Sequence, residues 1–357
     1  MIWAIAALLL IAAPAIADDP VFAARAAAAV QSHLEAERFS GAVLVAVDGK
    51  AIFRQGFGFA DRAQRIPNTP ETRFRTGSIG KQFAAAATLQ LAERGKLGLD
   101  DPISSHYDKS PAAWSKITLR HLLSMRSGIF NLTNLPDFDD QLRNEHSIDE
   151  VIGLTRDMPL RFEPGSRFEY SNSGYTVIGH VIENLSGQSY GAYLRDNVFT
   201  PLGMRNSGYE DEAAARTLAK GYVIEGGEWK IAPSISMSVV RAAGATYSTV
   251  DDLLTWEQAL GSGKLLNPDS TRAMFTNYGN GYGFGWSMSE RLGYRVQMHS
   301  GGIFGFHTIL CRYPDDKVTI IVLANLTRAW VSWIANELAS LYFGSIPVLP
   351  RLCLYES

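Results

Sequence analysis

The chain has 357 residues, 46% of them hydrophobic and 19% charged, with a formal net charge of −3. That is ample apolar material for a globular core, which excludes disorder as the default state. Its Lys and Arg residues are scattered rather than clustered, so the chain lacks the electrostatic footprint of a nucleic-acid binder, and no nucleic-acid partner is expected.

Residues 1–17, "MIWAIAALLLIAAPAIA", are wholly apolar and give way to Asp18 and Asp19, with Ala15 and Ala17 in a small-x-small pattern. This reads as a signal peptide cleaved after Ala17, which implies a periplasmic or secreted protein. A retained anchor is the competing reading, because no Lys or Arg precedes the apolar run, although the run is slightly short for a span. No later segment is long and apolar enough to cross a bilayer, so the mature chain is expected to have no membrane span. Residues 18–344 read as one domain, with a sheet lobe at about 22–70 and 240–344 and a helical lobe at about 78–239; residues 345–357 form a Pro-containing tail.

A helix is expected over 20–37. "GAVLVAVDGKAIFRQGFGFAD", residues 41–61, is then two β-type runs joined by Asp48-Gly49, a hairpin signal. From Ser78 the pattern turns helical: 78–94 closed by Gly95, a short helix around "TLRHLLSM", a segment near 147–157, and 174–185 closed by Gly187. Between them lies the acidic loop "NLTNLPDFDDQLRNE", expected to wall the pocket within 133–150. A helix at 250–260 follows "YSTVDD", where Ser248 and Asp251 stand at capping-box spacing. "YGFGWSM", "YRVQMHS", "FGFHTILCRY" and "KVTIIVLANL" read as strands, and a helix over about 328–343 closes the domain.

Cys311 and Cys353 could pair in an oxidising compartment, or both could stay reduced. The seven histidines show no metal-binding spacing, so neither a metal nor another cofactor is expected. Gly187-Gln-Ser189-Tyr-Gly191 fits the Gly-x-Ser-x-Gly nucleophile elbow, but that elbow needs a strand before the serine. Here a helix precedes it, so Ser189 is read as an N-cap.

Chemistry points instead to "RTGSIGKQFAAAATLQLAERG", residues 75–95. Ser78 at a helix mouth is first a candidate N-cap, whose usual companion three residues on is Glu or Gln. The companion here is Lys81, a cation that opposes the helix dipole at the start of a helix apolar on nearly every face. A buried lysine has a readily lowered pKa, the property that makes lysines bases. Tyr170-Ser171-Asn172 precedes a second helix, and His299-Ser300-Gly301 leads into a strand. Taken singly, Tyr170 reads as a core tyrosine, Asn172 as a cap, and His299 as a structural histidine like His121 and His307.

In this order the three elements resemble the serine β-lactamase and penicillin-binding-protein superfamily, whose signature is Ser-x-x-Lys, a Ser-Asp-Asn-type element and Lys-Thr-Gly. The Tyr-x-Asn form looks like the branch with class C β-lactamases, serine DD-carboxypeptidases and related esterases. "ITLRHLLSMRSGI", "FEPGSRFEYSNSGYTVIGHVIE", "AAGATYSTVDDLLTW" and "HSGGIFGFHTIL" extend the likeness over roughly residues 22–343. It implies an α/β fold of the α+β type: a five-stranded antiparallel sheet flanked by helices beside an all-helical lobe, with the site in the cleft.

The resemblance further implies a serine hydrolase that forms an acyl-enzyme on β-lactams, D-amino-acid peptides or small esters; a carboxylesterase and a slowly deacylating penicillin receptor are the alternatives. Ser78 would be the nucleophile and either Lys81 or Tyr170 the base, with Asn172 donating to Lys81 or to a substrate carbonyl. The oxyanion would rest on the backbone N–H groups of Ser78 and Gly302, beside Ser300 and Gly301. His299 departs from the lysine of the lactamase form and is mostly uncharged at neutral pH unless its surroundings raise its pKa, which weakens β-lactam hydrolysis. The partner is a small-molecule or peptide substrate, and the oligomeric state is left open.

Overall fold

The structure, a computed structural model, describes residues 19–210 and 212–344. The expected signal peptide, the tail and Cys353 lie outside them. Helix α1 (Pro20–Glu35) is capped by Asp19, whose carboxylate accepts the N–H groups of Val21 and Phe22. Strands β1 (Gly41–Val47) and β2 (Lys50–Phe57) follow, joined by Asp48 and Gly49 at φ +48° and +76°. That left-handed pair suits the twist of a two-residue hairpin.

Helix α2 (Gly80–Glu93) begins the helical portion, followed by α3 (Leu119–Leu123), α4 (Ile148–Arg156) and α5 (Asn172–Ser186). Ser147 and Glu150 form a capping box on α4, and Gly187 ends α5 at φ +69°. Ser189 accepts the N–H of Ala192 and caps a short helix, so the elbow reading is excluded by its geometry. On α6 (Val250–Ser262) the cap is Thr249, accepting from Asp252, one residue later than the Ser248–Asp251 pairing expected from sequence. Ser248 instead ends a short strand and shares a hydrogen bond with Ser207.

The chain returns to the sheet through β3 (Ser287–Arg291), β4 (Tyr294–Ile303), β5 (Phe306–Tyr313) and β6 (Val318–Ala324), and ends in α7 (Val331–Phe343). All pairings are antiparallel, in the order β3-β4-β5-β6-β1-β2, so the two ends of the domain meet where Val43 faces Val322. The antiparallel sheet flanked by helices is the expected fold class, with six strands rather than five. The edge strand β3 begins after "YGFGW", because Gly281 and Gly285 turn the backbone at φ +66° and +74° before pairing starts.

Both faces of the sheet are covered, which is why its central strands are apolar without interruption. Val43, Val45, Ile320 and Val322 face α1 and α7 through Phe22, Val30 and Leu338. Ala42, Leu44, Ile321 and Leu323 face α2 and α6. Helix α2 is buried from Gly80 to Leu91, with Phe83 edge-on to Phe199 at 5.1 Å and Trp256 at 4.7 Å between ring centres. Full burial of such a side chain contributes about 1.5–3 kcal/mol. The consequence for function is rigidity: the first turn of α2 cannot move without disturbing the core.

Candidate active site

Ser78 lies in a 3-10 turn, Gly77–Ile79, that feeds directly into α2. Its hydroxyl caps neither helix. The turn is held from two sides. The Thr76 N–H donates to the Thr246 carbonyl at 2.9 Å, and the Thr308 hydroxyl, from β5, donates to the Thr76 carbonyl at 2.8 Å. Strand β4 presses against it so closely that a Cβ on Gly301 would stand 2.0 Å from the Thr76 carbonyl and 2.9 Å from the Ser78 nitrogen. Gly77 itself, at φ +53°, faces the Gly302 nitrogen. Only residues without side chains let the Ser78 and Gly302 backbones converge, and Gly302 is open to the cleft.

Lys81 is completely buried one turn further along. Its Nζ lies 2.9 Å from Ser78 Oγ, 2.7 Å from Asn172 Oδ1 and 2.7 Å from the Ala243 carbonyl oxygen. Burial pushes its pKa well below the usual 10.5. The amide and carbonyl oxygens can only accept, so a neutral amine gives them its two hydrogens and turns its lone pair toward the Ser78 hydroxyl. The same cage satisfies all three hydrogens of the ammonium. It can therefore take a proton and give it back without side-chain movement.

Tyr170 reaches Ser78 from the other side, its hydroxyl donating to Oγ at 2.8 Å. Desolvation pushes its phenol above the ordinary tyrosine value of 10.0, so the phenol keeps its proton. Lys81 also sits 4.9 Å from the centre of the Tyr170 ring. Asn172, the first residue of α5, accepts from Lys81 rather than donating to it, in contrast to the sequence expectation. The reason is Asn131, whose side-chain oxygen accepts both the backbone N–H of Asn172 at 2.9 Å and its Nδ2 at 3.3 Å, which turns Oδ1 toward the lysine. Sequence reasoning passed over Asn131 because a lone asparagine after "SGIF" has no chemical signature. The Ala243 carbonyl is a backbone group, which no side chain in the sequence announces.

His299 is brought near this group but does not join it. It is 6% exposed, its Nδ1 stands 2.6 Å from the Ser300 carbonyl, and its Nε2 stands 3.0 Å from the Tyr282 hydroxyl. The carbonyl fixes the proton on Nδ1, so Nε2 accepts from Tyr282. Burial first, and the Lys81 charge second, hold its pKa at about 3. Both ring nitrogens are occupied and the ring is neutral, so His299 supplies no charge for a substrate carboxylate. His307 bonds the Ala329 carbonyl and His121 completes the α3 cap, both structural.

A cavity of about 150 Å³ opens beside Ser78, with Asn172 and Gly302 on its wall. The loop expected to wall the pocket contributes Thr133, Phe138 and Leu142, with Leu132 just before it, while Asp137, Asp139 and Asp140 turn outward. Among the described residues no group of three His, Cys, Asp or Glu side chains could hold a metal, and no helix is long and apolar enough to cross a membrane.

Residues 26–336 match the Beta-lactamase family. The chain belongs to that family. This Beta-lactamase family member is a β-lactamase-like serine hydrolase. It is 31% identical over 302 residues to the PbpX protein of Bacillus subtilis, covering 82% of this chain and 72% of that one. A crystal structure of a penicillin binding protein from Bacillus halodurans aligns with a TM-score of 0.76 at 30% identity, over 84% of this chain and 94% of that one. An octameric penicillin-binding protein homologue from Pyrococcus abyssi aligns with a TM-score of 0.82 at 29% identity, over 91% and 78%.

Proposed function

We propose that the protein cleaves ester or amide bonds through an acyl-enzyme on Ser78, with Lys81 as the base. The observation that carries this is the Ser78 oxygen held between Lys81 Nζ and the Tyr170 hydroxyl. Lys81 takes the hydroxyl proton as Oγ attacks the carbonyl, and the negative charge that develops on the carbonyl oxygen is received by the N–H groups of Ser78 and Gly302. Tyr170 gives its proton to the departing alcohol or amine and is reprotonated by way of the Lys81 ammonium, which leaves the acyl group on Oγ. Water then attacks the acyl carbon, giving up a proton to the restored amine; the acyl–Oγ bond breaks, the carboxylic acid leaves, and the Lys81 ammonium returns its proton to Ser78 Oγ. Tyr170 is thus assigned as the acid and Lys81 as the base, because desolvation keeps the phenol protonated and favours the free amine.

Among β-lactams, D-amino-acid peptides and small esters, the site favours the uncharged esters, because the neutral His299 ring offers no charge to a substrate carboxylate. We further infer that residues 1–17 direct export and are removed after Ala17, which N-terminal sequencing of the secreted protein tests. For the catalytic reading, Ser78→Ala is the test. It is expected to abolish ester hydrolysis and covalent labelling by a fluorescent fluorophosphonate; retention of both would reject Ser78 as nucleophile.

A further inference from the structure

The cavity beside Ser78 has sides made by Leu132, Phe138, Leu142, Ile235, Val239 and Phe304. No Lys, Arg or His side chain lines it. Lys81 is already engaged by Ser78, Asn172 and the Ala243 carbonyl, and Arg241, in the same wall segment, directs its guanidinium to the His146 carbonyl at 2.7 Å. A carboxylate entering this space would lose its water and gain no counter-ion, which is strongly unfavourable. An alkyl or aryl group would instead exchange water for apolar walls, and about 150 Å³ is the size of an apolar cavity that holds one benzene ring.

The cavity also has a side in the reaction. Neither Tyr170, Tyr282 nor His299 lines it, so it lies away from the hydroxyl that serves the leaving group. What fills it stays on Ser78 after the first step.

Resting on the acyl-enzyme reading above, we propose that this enzyme selects an uncharged, apolar acyl group of about one aromatic ring in size, such as a short fatty acyl or arylacetyl group carried by a neutral ester or amide. Acyl groups that carry a carboxylate are rejected. Selection comes from the wall residues rather than from an ion pair.

The test begins with fluorophosphonate labelling of wild type and Ser78→Ala, because labelling that does not depend on Ser78 overturns the acyl-enzyme reading and this proposal together. With Ser78-dependent labelling established, kcat/KM is measured on p-nitrophenyl acetate, butyrate, pentanoate, hexanoate and decanoate, and on p-nitrophenyl hydrogen glutarate. The expected result is a rise of about fourfold per methylene up to hexanoate, then a decline at decanoate. The glutarate ester should fall at least about a hundredfold below pentanoate. A flat series, or a glutarate ester as good as pentanoate, overturns the proposal while leaving the nucleophile intact. Phe138→Ala and Ile235→Trp, both at half-buried wall positions, should move the decanoate-to-butyrate ratio up and down respectively; a ratio unmoved in both overturns the cavity as the acyl site.

Discussion

Asn172 and Ala243 stand 91 and 162 residues from Lys81 in sequence, yet each places an oxygen 2.7 Å from its Nζ. These two acceptors, rather than the Ser-x-x-Lys spacing alone, aim the lysine at Ser78. The base is therefore built by tertiary contact, and its behaviour can be tested.

Lys81→Arg keeps a cation but removes a group that can deprotonate near neutrality. It is expected to lower kcat/KM for ester hydrolysis by about 10²–10⁴. Activity requires the free amine, so in wild type kcat/KM falls on the acid side through the Lys81 pKa, and that limb lies well below 10.5. A pH–rate profile with its acid limb in the ordinary lysine range would reject Lys81 as the base.

Tyr170→Phe removes the proton destined for the leaving group. A leaving group that departs readily as an anion needs that proton little, whereas an alkoxide or amine needs it most. The loss in kcat is expected to reach about a hundredfold on alkyl esters or amides and to be much smaller on p-nitrophenyl esters. Equal losses on both would assign Tyr170 to positioning Ser78 instead.

His299 also has a signature in stability. Its pKa falls from 6.5 to about 3 on folding, so between those values the unfolded chain binds the proton that the folded one refuses. Its contribution is fully present above 6.5 and is lost as the pH falls toward 3, with a slope of up to about 1.4 kcal/mol per pH unit. Thermal melts at pH 7 and pH 4.5 should show a smaller acid-induced drop in Tm for His299→Gln than for wild type. An equal or larger drop would contradict a buried neutral imidazole.

Gly301→Ala and Gly302→Ala are adjacent substitutions with opposite expectations. A Cβ at Gly301 meets the Thr76 carbonyl at 2.0 Å, whereas one at Gly302 meets nothing within 4 Å. Gly301→Ala should destabilise the fold by about 1–3 kcal/mol and displace the Ser78 turn, while Gly302→Ala should melt like wild type. Comparable melting temperatures for the two variants would contradict the packing of β4 on that turn.

Beneath the same turn, Arg75 and Glu210 form a two-pronged ion pair at 2.7 and 2.8 Å, with the glutamate side chain 4% exposed. Removing one member leaves the other charge in a desolvated place. Glu210→Ala is expected to lose about 3–5 kcal/mol, measured by urea unfolding. A loss under about 1 kcal/mol would mean that water replaces the carboxylate freely.

Local signals determined the local structure. The Asp48-Gly49 hairpin, the Gly187 helix end and the three-residue step from Ser78 to Lys81 all rest on interactions within one turn, and these a sequence carries on its face. Where local codes overlap, sequence reading erred by small steps: Thr249 rather than Ser248 caps α6, and "YGFGW", with Gly285 at φ +74°, precedes the strand instead of lying within it. Tertiary structure decided the chemistry's surroundings. Whether Asn172 donates or accepts depends on Asn131, whether His299 is charged depends on its burial beside Tyr282 and Lys81, and whether the acidic loop offers acids or leucines to the cleft depends on which face packs inward. Burial and hydrogen-bond partnership are properties of neighbours distant in sequence, and those two quantities set protonation state and pocket polarity.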